Sequence, residues 1–85
     1  MNELYKLIEK MIRDAGFPKP VDGRDFYNDI SDEADEKENG TYMFMIKKED
    51  NLLYKGCMDI RDDDFDLHFV DLILDGQTYH VDFDV

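Results

Sequence analysis

The residues with the means for chemistry in this 85-residue chain are two histidines and a run of aspartates. The stretch Asp59–Phe69, "DIRDDDFDLHF", holds five aspartates and His68, and the C-terminal stretch adds His80, Asp82 and Asp84. Carboxylate and imidazole donors of this kind suit a divalent cation or an acid–base pair. As rows on a surface they also attract a cationic partner.

Each chemistry can be set against the spacing. A calcium loop starting at Asp62 places Asp64 and Asp66 at its third and fifth positions. It then puts Leu67 where the turn glycine belongs and Ile73 where a bidentate Glu belongs, which excludes an EF-hand. A looser divalent-cation site built from Asp66, His68, Asp82 and Asp84 is the alternative reading. Asp71 with His80 resembles half of an acid–base arrangement, yet no nucleophile stands beside it, and an exposed sheet does not exclude water. The bland reading of that pair is a cross-strand ion pair of at most about 1 kcal/mol. The expectation is a protein that is not an enzyme and carries no cofactor.

The elements that must position these residues follow from periodicity. Leu4, Leu7, Ile8, Met11, Ile12 and Ala15 form one helical stripe, with Asn2 as N-cap, Gly16 as C′ residue and Pro18 blocking continuation. The stripe reads as core, with Leu7, Ile8 and Met11 against the sheet and Tyr42, Phe44, Leu72 and Tyr79 as neighbours. Residues 24–36 read in two ways: a short helix capped by Asp25 with Phe26, Ile30 and Ala34 on one face, or a short strand. The run Ser31–Gly40 is acidic and nearly free of apolar groups, and reads as a solvated loop.

From Thr41 the period is two. Tyr42, Phe44 and Ile46 alternate with Met43, Met45 and Lys47; Tyr54, Met58 and Ile60 then oppose Lys55, Cys57, Asp59 and Arg61. A third strand spans Phe65–Leu74. Asp75-Gly76 signals a type I′ hairpin into "QTYHVDFDV". The fold class is α+β: one N-terminal helix packed on a four-stranded antiparallel β-meander, with residues 1–85 as a single small acidic domain.

The hairpin sets Leu74 opposite Gln77, Leu72 opposite Tyr79, Asp71 opposite His80 and Val70 opposite Val81. Unbroken pairing would then turn Phe69, Leu67 and Phe65 toward water. A β-bulge at Phe69–Val70, both opposing Val81, repairs the phase. It sends Asp64, Asp66 (opposite Asp84), His68 (opposite Asp82) and Asp71 outward, and leaves Ile73 as the only apolar residue outside. Asp66 with Asp84 is then a like-charge pair that costs stability.

Charge decides the partner class. The net charge is −12, and residues 62–85 carry eight aspartates and neither Lys nor Arg. Direct binding to nucleic acid or to an anionic membrane is excluded for want of a cationic footprint. Carboxylates two apart on a strand repeat at about 6.6–6.8 Å, comparable with phosphates along a nucleic-acid strand. The reading is a small acidic protein-interaction domain, in its specific form a nucleic-acid-mimicking inhibitor of a basic nucleic-acid-binding protein. Its composition is similar to that of small acidic inhibitors encoded by phages and mobile elements. The binding face is Asp64, Asp66, Asp71, Asp82, Asp84, His68 and His80, with the acidic segment 22–38 beside it. A domain whose acidity serves only solubility is the remaining reading. One cysteine, Cys57, precludes an internal disulfide, and the N-terminus lacks a secretory h-region, so a cytoplasmic protein is expected.

Overall fold

The stripe beginning at Leu4 winds Glu3–Asp14 into helix α1, whose inward residues Ile8 and Ile12 are buried. Gly16 ends it in the left-handed region (φ +92°), where its missing Cβ removes the steric penalty. These coordinates come from a computed structural model that describes residues 3–62 and 64–83. The expected cap Asn2 lies outside the described residues.

Residues 24–36 resolve to the helical alternative. Helix α2 spans Gly23–Asp35, and Phe26, Ile30 and Ala34 at i, i+4 and i+8 are its buried face. Its cap is Asp22 rather than Asp25: the Asp22 carboxylate accepts from the amides of Arg24 (2.9 Å) and Asp25 (3.3 Å). Ser31–Asp35, expected as loop, is the last part of this helix, because Ala34 completes its apolar stripe. The two helices meet closely where Gly23 passes the Tyr5 carbonyl, a place that a Cβ would occupy. There the Gly23 amide donates to Glu9 Oε2 at 2.8 Å, so α1 satisfies one of the orphan donors at the start of α2.

Four strands follow: β1 (Gly40–Glu49), β2 (Leu52–Arg61), β3 (Asp64–Leu74) and β4 (Gln77–Asp82). Each pairs antiparallel with its chain neighbour in the order β1-β2-β3-β4. The fold is α+β, with both helices on one face of the meander. Phe44, Tyr54, Met58, Ile60, Val70, Leu72 and Val81 form the buried side of the sheet. Phe26 of α2 packs its ring 5.2 Å from that of Tyr54, and Phe17 meets Tyr79 edge-on at 5.4 Å. Leu7, expected against the sheet, is instead 53% exposed, because α2 shares the inner face and leaves Ile8 and Ile12 as the inward residues of α1.

The β3–β4 hairpin has the expected register from Leu74–Gln77 through Asp71–His80 to Val70–Val81. Asp75 (φ +51°) and Gly76 (φ +81°) both take left-handed backbone, as a type I′ turn requires. The bulge is one residue earlier than expected and is made against β2. Cys57 pairs with Phe69 and Met58 with Leu67, so His68 is the extra residue. Toward β4 the pairing runs on without a slip, with Phe69 opposite Asp82 and the Phe83 amide donating to the His68 carbonyl at 2.9 Å. Phe65 and Leu67 therefore pack against the core, as expected, while Phe69 turns outward with His68.

Gly56 makes this bulge sterically feasible. A Cβ there would run into the Phe69 carbonyl on one side and the Phe44 ring on the other. Only a residue without a side chain leaves room for the kinked backbone of β3 beneath that ring.

Candidate protein-interaction surface

The outward face of the sheet is built from alternate residues of four strands, and the observed registers order them into rows. Thr41, Asp59 and Asp66 form one row. Met43, Cys57, Phe69 and Asp82 form the next, with His68 bulged beside Phe69. Met45, Lys55, Asp71 and His80 follow, and then Lys47, Leu53, Ile73 and Thr78. Neither described helix covers this side, and Met43 and Met45 are 67% and 61% exposed. Cys57, Phe69 and Ile73 are half-buried among their neighbours.

The first row carries the strongest electrostatics. Asp59 faces Asp66 across the β2–β3 pair, so the like-charge contact lies on this side of β3. The Thr41 hydroxyl donates to Asp59 Oδ1, and His68 Nε2 lies 3.1 Å from Asp59 Oδ2. These hydrogen bonds, the hydroxyl first and the imidazole second, hold the Asp59 carboxyl below the usual carboxylate range despite partial burial. Arg61 stands opposite Asp64 at the end of the same hairpin. The connecting turn is braced by Asn39: its side chain accepts from the Asp62 amide at 3.0 Å, while Asp62 adopts φ +48°.

The expected site residues are thus partly assembled. Asp64, Asp66, Asp71, His80 and Asp82 all lie on the outward side of β3 and β4, and Asp71 Oδ1 meets His80 Nδ1 at 2.5 Å. His68 is outward too, but the bulge carries it to Asp59, and Phe69 takes the expected place opposite Asp82. Asp84, and with it the expected Asp66–Asp84 pair, lies outside the described residues. The cation-site candidates Asp66, His68 and Asp82 do not converge: among the described residues no group of three or more His, Cys, Asp or Glu side chains is placed to hold a metal ion.

Two further corrections concern the surroundings. The acidic segment 22–38 is not beside this face, because α2 packs on the opposite side of the sheet through Phe26 and Ile30. Part of its charge is matched there, by Lys48 with Asp29 (2.7 Å) and Lys37 with Glu33 (3.1 Å). The outward face is also not uniformly acidic. Lys55 stands opposite Asp71, and an apolar band of Met43, Met45 and Phe69 runs between the carboxylates.

Sequence reasoning missed Asp59, Thr41 and the exposed methionines as parts of this surface. The signal for Asp59 was present. A two-residue connection between Arg61 and Asp64 places Asp59 opposite Asp66 by counting back along both strands. No family model matches this chain, and no curated protein or solved structure matches it. No described helix is long and apolar enough to cross a membrane.

Proposed function

We propose that this protein is an acidic protein-interaction domain whose outward sheet face docks on a basic protein surface. The observation that supports it is the composition of that face: two methionines more than 60% exposed, lying in a band bordered by Asp59, Asp66, Asp71 and Asp82. Exposed apolar groups with a polar border are the usual anatomy of a docking surface. The net charge of −12 selects a cationic partner and speeds the encounter. Met side chains adapt their shape to a partner at small conformational cost.

The specific form is an inhibitor of a basic nucleic-acid-binding protein in the cytoplasm, which it occludes stoichiometrically. The carboxylate rows take the place of phosphates, and the apolar band adds contacts that a phosphate backbone lacks. The test is capture of partners from the native host at graded salt, followed by competition with nucleic acid for the captured protein. The expected partner is basic, elutes as salt rises and releases its nucleic acid when this domain occupies it. Replacing Asp66, Asp71 and Asp82 together by Asn weakens capture. A partner held equally at all salt concentrations, and by that triple variant, overturns the reading.

A further inference from the structure

On the other side of β3 lies a groove of about 640 Å³, between α1, α2 and the start of that strand. Leu7, Met11, Tyr27, Phe65, Leu67 and Phe83 contribute to its wall, and Asp64 and Asp66 border it along β3. Its volume is in the range of about 300–1,000 Å³ typical of ligand sites, yet the domain leaves Leu7 there 53% exposed.

Resting on the proposed function, we infer that this groove receives the apolar side chains of a cationic amphipathic segment of the partner. The charge of the groove selects that occupant. Its described lining residues include no Lys or Arg, and the charged ones are Asp64 and Asp66, which disfavour the head of a fatty acid or an anionic lipid and favour a lysine or arginine beside a bulky apolar residue. A second copy of this chain would bring its own charge of −12 against them. An amphipathic helix laid in an apolar groove and anchored by a few residues is a recurrent recognition mode, with flanking charge fixing its orientation. The side chains of Asp64 and Asp66 point to the outward face while the two residues border this groove along β3, so a single basic partner engages both across the start of β3.

The test uses a synthetic helical peptide of leucine and lysine with all leucines on one face, and its sequence-scrambled counterpart. Methyl resonances of Leu7, Met11 and Leu67 are followed alongside those of Met43 and Met45. The amphipathic peptide is expected to shift the first set, and the scrambled one is not. Leu7→Glu, at an exposed position that leaves melting temperature nearly unchanged, separates shape from charge. It adds a negative charge, so binding by charge alone would hold or tighten, whereas binding in the groove weakens by at least about tenfold. Asp66→Asn weakens binding by a smaller factor that shrinks with salt. The inference is overturned if no groove methyl shifts, if a leucine–glutamate peptide binds equally well, or if Leu7→Glu is without effect. Shifts confined to Met43 and Met45 overturn the groove while leaving the outward face as the docking surface.

Discussion

Asp59 and Asp66 stand directly opposite each other on β2 and β3, two carboxylates in one cross-strand pair. The sheet tolerates them because Thr41 and His68 both bond to Asp59. Asp66→Asn removes the repulsion and leaves those bonds in place. Stability should hold or rise, by a few tenths of a kcal/mol up to about 1 kcal/mol. Capture of a basic partner should fall in the same variant, more at low salt than at high. Melting temperature and partner retention at two salt concentrations check this; lower stability with unchanged capture would make Asp66 structural only.

The depressed titration of Asp59 gives a pH prediction. Its folded carboxyl titrates below its ordinary value, so its contribution to stability is present above that value and is lost as pH falls through the folded one. Thr41→Val removes the larger cause and His68→Gln the smaller. Carboxyl-carbon NMR titration should show Asp59 moving up in both, and further in Thr41→Val.

Tyr54 supplies the alkaline counterpart. Burial first, then the charges of Asp29, Glu49 and Asp25, push its phenol up to about 12. A raised folded value stabilises fully below the ordinary value of 10.0 and is lost as pH climbs through about 12. Alkaline unfolding across that interval should be shallower in Tyr54→Phe, and a late-ionising component of the native tyrosinate absorbance should disappear in the same variant.

Ile8 and Leu7 are neighbours in sequence with opposite fates, 5% and 53% exposed. Ile8→Ala should cost about 2–5 kcal/mol, whereas Leu7→Ala should stay within about 0.5 kcal/mol, as exposed sites do. Urea denaturation of the two variants decides it; equal losses would place Leu7 in the core.

Gly56→Ala tests the fit between β2 and the bulge. The added methyl meets the Phe69 carbonyl and the Phe44 ring, and overpacking of this kind costs about 1–3 kcal/mol. Loss of Phe69 and His68 amide protection in hydrogen exchange should accompany it. An unchanged denaturation midpoint would mean that the bulge does not need the glycine.

The parts of this fold that could be read in the sequence are those where one local signal decides. Asp75-Gly76 sets the turn and thereby the five cross-strand pairs from Leu74–Gln77 to Val70–Val81, and the stripe from Leu4 to Ala15 sets α1. Helix α2 was ambiguous because its acidic residues hide a stripe of only Phe26, Ile30 and Ala34. The bulge shows in sequence as a change of phase before Val70, but the phase does not say which neighbouring strand absorbs the extra residue. That depends on Gly56, in a strand whose pairing is non-local to the slip. The site was legible as outward aspartates on the last hairpin. The apolar band beside them was not, since Met43 and Met45 announce themselves only once both helices are seen to choose the other face.

The strand order β1-β2-β3-β4 has a consequence for synthesis on the ribosome. Each strand pairs with the one just made, so the sheet assembles by successive hairpin closures with little loop entropy to overcome. The helices, by contrast, emerge first and find no sheet to cover, so Phe26 and Ile30 wait with their apolar face toward water. The folded structure holds contacts between α1 and α2 that need no sheet: Glu9 accepts from the first amide of α2, and the rings of Tyr5 and Tyr27 lie 5.7 Å apart. The order of emergence thus makes the helical pair the nascent chain's exposed, chaperone-accessible unit, shielded only when β2 and β3 are out.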